Sequence, residues 1–525
     1  MKRRILALVL VGALLLTGCG GAAGEGGLEA GNTGKRSKGQ EINGVWATNE
    51  APARNSMPEE KEIEGKRNMY LNKGTQLFSG EMNAGYSPAS CDWLEDAKKD
   101  ADSILVLRYT CDIPENRNWG VLGWGAVVNG QSVEGPSVQS GIHVATDTTI
   151  VVLTMDELAE MFGASSVAEI SKVSLGAWNG GRIVSLHYLP GDVAKDFLAY
   201  EKELDEAKNI VHTYDGELSN EYAIESAKKV YKYMQDIQGK QCLTGQQEST
   251  WIGTPNYEMI YIRENTGGKV PAIRGFDFMH DGFDDAATRA IEWWEEGGIV
   301  NITWHTGTDF VSGYDEAIVD QLDWKKALTP GTAEYNELLE GMDKAVPALQ
   351  KLEDAGVPVL WRPFHELDGH WFWWSKGGPE NYVKLWQMMY SRYTDYWQLD
   401  NLIWVLAYSN LDTDKREWYP GDDYVDVSGA DSYETETAVQ DENNQRLQRL
   451  YDECDSLLPE GMPNVQHECD YILSENERAN MPWGYFLIWH TVSLTDQKFN
   501  TVEYLSEIYN SEYFITRDEL PNFRK

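Results

Sequence analysis

Basic residues, cysteines and long apolar runs are all in short supply in this chain. Lys and Arg number 45 against 84 Asp and Glu, for a formal charge of −39. So acidic a surface disfavours nucleic acid and anionic membrane as partners and favours a neutral ligand. The 6 cysteines contain no CxxC pair and no Cys/His spacing of a zinc site, so no metal and no cofactor is expected. Beyond Cys19 they are Cys91, Cys111, Cys242, Cys454 and Cys469, an odd number that leaves at least one thiol free; Cys91 with Cys111 is one open pairing. The apolar stretch ILALVLVGALLL has twelve residues, too few for a spanning helix, which takes roughly 20.

That short stretch follows MKRR and precedes a small-residue site, the pattern of a secretion signal over residues 1–18. Leu16-Thr17-Gly18-Cys19 resembles the bacterial lipobox, which implies lipidation of Cys19 and an extracellular, cell-surface protein whose contact with membrane is its lipid anchor. Loss of Lys2, Arg3 and Arg4 with the signal takes the charge to −42. Residues 19–40 are Gly-rich and polar, unable to bury enough apolar surface to order themselves, and read as a flexible tether.

A length of 525 residues exceeds one ordinary core, so two domains are expected. From 41 to 195 short alternating runs ("SILVLRYTCDI", "TTIVVLTM") suggest an antiparallel β-sandwich. The segment resembles the jelly-roll modules that accompany polysaccharide-degrading enzymes, which implies carbohydrate binding, with Trp119, Trp124 and Trp178 as stacking candidates. Residues 196–219 form a charged connector. From 220 to 525 helical and strand patterns alternate, opening with Ala223, Ala227, Val230 and Met234 at helical spacing.

Eight apolar runs recur there: 241–247, 270–279, 297–306, 356–366, 401–409, 424–433, 464–469 and 483–491. Eight strands separated by helices predict a (β/α)8 barrel. Most runs begin apolar and end chemically rich, with Gln246 and Gln247, His280, His305, His365 and Glu366, Asp431 and Tyr433, His467 and Glu468, Trp489 and His490 at or beside their C-terminal ends. Those ends converge on one face of a barrel, where activity resides.

Breaking a glycosidic bond through an oxocarbenium-like transition state calls for two flanking carboxyl groups, one protonated and one ionised. Glu366 and Glu468 end the fourth and seventh runs, nearly opposite each other across a barrel mouth. Glu366, amid His365, Trp371 and Trp373, would be desolvated and protonated, the candidate acid/base. Glu468, with Tyr433 next door as a hydrogen-bond donor, is the candidate nucleophile. Trp489 would floor the cleaved subsite, Trp371 would support the sugar beyond, and the aromatics after Glu366 would line the cleft.

"RPFHELDGHWFWW" resembles the motif of glycoside hydrolase family 26, mostly endo-β-1,4-mannanases, and "GGIVNITWH", "YPGDDYVDVSGADSY", "WGYFLIWHT" and "RDELP" extend the similarity over about 220–520. The resemblance implies Glu366 as acid/base, Glu468 as nucleophile, Tyr433 as its partner and Trp489 as platform, with His305, His365, Trp371 and Asp431 lining the substrate cleft. It further implies an enzyme acting with retention on a β-mannan-type polysaccharide, its carboxyls roughly 5–5.5 Å apart; separately, a monomer is expected. "HELDG" puts Asp368 where the family has an amide beside the cleft, "HECD" departs from the family around the nucleophile, and "TGQQ" departs in the first strand.

Three other readings stay open. The same fold could serve β-1,3-xylan or mixed-linkage β-glucan, or a polysaccharide-binding lipoprotein could have kept the cleft without the chemistry. A metallohydrolase would gather His280, His305, His365, His467 and His490 at one rim, but it needs a His-x-His pair that "CLTGQQE" lacks.

Overall fold

The computed structural model describes residues 58–79, 86–88, 91–111, 120–139, 149–178, 181–250, 254–409, 411, 413–433, 440–497 and 500–525. The signal segment, Cys19, the tether and Trp119 lie outside the described residues, as does the side chain of Cys111 and with it the Cys91–Cys111 pairing. Cys242, Cys454 and Cys469 are buried free thiols. Among the described residues no helix is long and apolar enough to cross a membrane.

The alternating runs fold as strands β1 (Thr75–Ser79), β2 (Tyr86–Pro88), β3 (Ile104–Cys111), β4 (Gly120–Val128), β5 (Gln131–Gln139), β6 (Thr149–Thr154), β7 (Ile170–Ala177) and β8 (Gly181–Leu189). They form two antiparallel four-stranded sheets, ordered β1-β8-β3-β6 and β2-β7-β4-β5. Alternation puts Leu105 and Leu107 of β3 and Leu186 of β8 against Leu122 and Trp124 of β4 and Val173 and Leu175 of β7, one core shared by both sheets. Trp124 is therefore core, 2% exposed, and no stacking platform, whereas Trp178 is half-buried. Between β4 and β5 the turn is Asn129-Gly130, both at positive φ, as a two-residue hairpin requires.

The opposite face of β3, Ile104 and Val106, is covered by two helices, Glu60–Leu71 and Gly191–Ala207, through Leu71, Ala194 and Phe197. Arg67 joins them by a forked pair of bonds to Glu201 at 2.8 and 2.7 Å. The boundary expected between residues 195 and 196 thus falls inside a helix, whose buried face ties the start of the connector to the sandwich.

In the second region the first expected strand breaks at Thr244. Its front half, β9 (Cys242–Leu243), pairs with β18 (Phe514–Ile515) outside the barrel. The barrel itself is β10 (Gly245–Gln247), β11 (Ile273–Asp277), β12 (Ile299–Thr303), β13 (Val359–Arg362), β14 (Leu402–Tyr408), β15 (Val427–Ser432), β16 (Asn464–Cys469) and β17 (Phe486–Ile488), all parallel and closed by β17 beside β10. Every residue in these strands is buried, which is why they read as continuous apolar runs rather than alternations. Around them lie amphipathic helices such as Glu225–Ile237, burying Ala227, Val230, Tyr231 and Met234, and Pro379–Tyr390, burying Tyr382, Trp386 and Met389.

Two local features aim the ends of β15 and β16. Gly429 lets them approach, since a Cβ there would lie 1.8 Å from the Val465 carbonyl oxygen. Immediately after, the register slips: Ala430 faces Gln466 but Asp431 faces Glu468, so β16 carries one extra residue at His467. Such a bulge re-aims the side chains that follow it, and here it sets Glu468 abreast of Asp431.

Candidate active site

Arg362, the last residue of β13, is the hub of the barrel's C-terminal face. It is 1% exposed; its Nη1 donates to Asp431 Oδ1 and Oδ2 at 3.1 and 2.9 Å, and its Nη2 donates to Glu468 Oε1. Tyr433, past the end of β15, donates its hydroxyl to Glu468 Oε2 at 2.5 Å. Both oxygens of Glu468 are therefore engaged by donors, one of them a full cation. Burial and the two neighbouring carboxylates hold the Asp431 carboxyl well above its usual range, against the opposing pull of Arg362.

Glu366 sits differently. The chain leaves β13 through Pro363 and turns sharply, with Phe364 at φ 48° and Glu366 at φ 50°, the sparsely populated left-handed region. Leu367 N–H donates to the Ala407 carbonyl and Gly369 N–H to that of Glu366, which hold the turn. Gly369 leaves room for Trp371 to fold back, since a Cβ there would lie 2.4 Å from the indole ring. The Trp371 Nε1–H then donates to Glu366 Oε2 at 2.6 Å, among the described residues the one side-chain bond to this carboxyl. Desolvation, followed by the negative charge of Glu468, pushes Glu366 up to about 7, with Trp371, His305 and Arg362 pulling the other way.

His305 and His365 lie between these acids and the barrel. Their Nε2 atoms are 2.9 Å apart, and His305 Nδ1 is 2.6 Å from Asp277 Oδ2 at the end of β11. Beside His305 opens a cavity of about 320 Å³, lined also by His280, Tyr314, Glu316, Trp489 and His490. Trp489 is partly exposed there, its ring centroid 5.1 Å from that of His305.

The expected residues thus converge, but not all on the cleft. Asp431 and His365 are 2% and 1% exposed beside Glu468, their polar atoms engaged by Arg362, His305 and Thr303. Phe372, Trp373 and Trp374 are core, at most 1% exposed, and do not line the cleft. The Trp373 and Trp374 indoles brace the face from below by donating to the Thr306 and His365 carbonyls. Asp368 is likewise buried away from the cleft, accepting from Ser409 N–H and the Thr413 hydroxyl, where it anchors the loop after β14. The five histidines do not share a rim: His467 points to the Tyr485 hydroxyl and the Leu406 carbonyl. Among the described residues His365, Asp431 and Glu468 lie close enough to hold a metal ion, yet the Arg362 guanidinium already bridges the two acids.

Asp277 is not among the residues expected from the sequence, although it too is an acid ending an apolar strand. Neither is Thr303, whose position in mid-run gave no signal.

Residues 219–519 match the model of Glycosyl hydrolase family 26. A mannan endo-1,4-beta-mannosidase of Thermothelomyces thermophilus is 30% identical over 344 residues, which cover 60% of this chain and 65% of that protein. One of Bacillus subtilis is 36% identical over 191 residues, 33% of this chain and 52% of that protein. The chain thus spans between 52% and 65% of the length of these two curated relatives. Among solved structures, the GH26-CBM35 beta-(1,4)-mannanase of Podospora anserina superposes with a TM-score of 0.52 at 26% identity, covering 85% of this chain and 90% of that one. A ruminal GH26 endo-beta-1,4-mannanase gives 0.53 at 25%, covering 86% and 93%.

Proposed function

The chain belongs to glycosyl hydrolase family 26, and on that premise we propose that it is a retaining endo-β-1,4-mannanase of β-mannan-type polysaccharides. The observation that carries the reading is the contrast between two neighbouring carboxyls on one face of the barrel. Glu366, with the neutral Trp371 N–H as its side-chain donor, stays neutral up to about 7, while Glu468 accepts from Arg362 and Tyr433.

In the first step Glu366 gives its proton to the glycosidic oxygen as Glu468 attacks the anomeric carbon. The bond to the leaving sugar breaks, a glycosyl ester forms on Glu468, and Glu366 is left as a carboxylate. That carboxylate then takes a proton from water, whose oxygen attacks the same carbon and releases Glu468. Trp489, partly exposed beside His305, offers an indole face to the C–H side of a pyranose.

Mannan as substrate is supported by the names of the curated relatives. A carbohydrate-binding role for the sandwich is supported by the Podospora protein, whose name includes a CBM35 module and whose alignment is long enough to take in both regions. Lipid anchorage at Cys19, and with it a cell-surface location, is part of the same proposal and rests on residues 16–19.

Reducing-sugar release from galactomannan and glucomannan tests the assignment. Wild type should release sugar, and Glu366→Ala and Glu468→Ala should each lose nearly all of it. Equal release by all three overturns the reading.

A further inference from the structure

Asp277 takes no part in the hydrolytic scheme. Its Oδ1 accepts the backbone N–H groups of Met279 (3.0 Å) and His305 (3.1 Å), and its Oδ2 accepts His305 Nδ1–H at 2.6 Å. On the other side of the ring His305 Nε2 meets His365 Nε2 at 2.9 Å. Two ring nitrogens at that separation share one proton, so one is an N–H and the other a bare lone pair.

The far end of the chain decides which. The Thr303 hydroxyl lies 3.2 Å from both the Arg362 carbonyl oxygen and His365 Nδ1. A carbonyl only accepts, so the hydroxyl proton goes to Arg362 and the hydroxyl oxygen accepts from His365, whose proton is on Nδ1. The same bonds could form with the cation on either ring, but the Asp277 carboxylate lies 2.6 Å from His305 Nδ1 while burial and the Arg362 charge disfavour a charged His365, so His365 is neutral with a bare Nε2 and the shared proton belongs to His305. With Nδ1–H given to Asp277 and Nε2–H given to His365, His305 carries both protons.

We propose that Asp277 is a positioning residue that holds His305 as a buried imidazolium, donating to Asp277 on one side and to a neutral His365 on the other. The role in hydrolysis rests on the function proposed above; the protonation state does not.

The groups facing His305 support this assignment. Asp277 on β11 and Glu468 on β16 favour its charge, and Arg362 on β13 opposes it. Tyr314 faces the ring from the helix Tyr314–Val319, and His280 and His490 share its cavity. Burial is the largest single influence and lowers its proton affinity, but Asp277 and Glu468 together outweigh it and the net shift is upward. His365 moves the other way, held well below the ordinary imidazole range by burial and by the charges of His305 and Arg362.

Two consequences follow for the carboxyl pair. His365 Nε2 lies 3.9 Å from Glu468 Oε1 and, as an acceptor, offers it no proton. Among the described residues the side-chain donors of Glu468 therefore remain Arg362 and Tyr433. The His305 cation also favours ionised Glu366, so removing it should raise the proton affinity of the acid.

The full chain, labelled with 15N-histidine, tests the proposal; its 9 histidines are resolved by assigning His305 through His305→Gln. In wild type both His305 nitrogens should appear protonated at neutral pH, and the ring should lose its second proton only above the ordinary imidazole range. Asp277→Asn should convert His305 to a neutral ring at pH 7 and move the alkaline limb of kcat/KM to higher pH, and Asp277→Glu should restore both. A bare His305 nitrogen in wild type at pH 7 overturns the proposal, as does a protonated His305 in folded Asp277→Asn. Should Asp277→Asn fail to fold, the wild-type spectrum alone decides. A wild-type imidazolium in a chain inert on β-mannan would uphold the protonation assignment while sinking the functional one.

Discussion

Glu366 and Glu468 are the same side chain on the same face of one barrel, and their surroundings differ in one respect above all. Among the described residues Glu366 accepts a single side-chain bond, from the neutral indole of Trp371, on a turn that forces φ 50°. Glu468 accepts from a guanidinium and a phenol, beside an aspartate that shares the same guanidinium. Depth in the protein does not separate their roles, for Glu468 is the deeper of the two at 2% exposed. What separates them is the number and charge of the donors each was given, which sets which form of the carboxyl the fold prefers.

The sharpest way to break that comparison is to remove each acid in turn while changing how much help the leaving group needs. Glu468→Gln should lower kcat by about 10⁴-fold or more on any substrate, because the proposed carboxylate nucleophile becomes an unreactive amide. Glu366→Gln should lower it by about 10²–10⁴-fold on a polysaccharide. On an aryl glycoside whose phenolate departs unaided, most of that second loss should vanish in the first step. Equal losses for the two variants on both substrates would mean that the two carboxyls do not divide the labour as their donors imply.

How far this contrast was legible in the sequence depends on the range of each interaction. Eight strands were legible because a doubly buried strand must be apolar along its length, and their chemical ends because the barrel gathers those ends on one face. On that logic Glu366, Glu468, Tyr433 and Trp489 were expected at one face, and they lie there in the structure. Trp373 and Trp374 were misread, since an apolar ring beside a catalytic-looking acid has the same letter whether it faces sugar or core. Only tertiary contacts, here the Thr306 and His365 carbonyls, tell the two apart. The bulge at His467 was illegible for another reason: a one-residue slip leaves no mark in composition, yet it brings Asp431 and Glu468 abreast of one guanidinium. Asp277 was legible in principle, as an acid closing an apolar strand, but its partner His305 lies one strand away.

Tyr433→Phe makes a gentler change on the Glu468 side. The ring is 38% exposed, so its removal from the hydrogen bond should leave thermal stability nearly unchanged. A hydrogen bond to a charged group contributes roughly 1.5–3 kcal/mol. If it steadies Glu468 for attack, kcat should fall by about 10- to 100-fold, while Arg362 still holds the other oxygen. A fall in stability with kcat intact would make Tyr433 a prop for the fold and would leave Glu468 with one effective donor, narrowing the difference between the two acids.

Trp371→Phe is the matching change on the Glu366 side and should have the smallest effect. The indole N–H favours the ionised form, so losing it raises the pH at which Glu366 gives up its proton from its present value of about 7. The acid must be protonated to act, so kcat/KM in wild type should decline as pH rises through about 7, and in Trp371→Phe the decline should start later. The variant's plateau at low pH should be lower by no more than about tenfold, the range expected for one uncompensated hydrogen bond. Its activity relative to wild type should therefore climb with pH across the alkaline limb. A limb that stays fixed or moves to lower pH would mean that Trp371 orients the carboxyl without tuning it, and the protonation of Glu366 would then have to be set by Glu468 and desolvation alone.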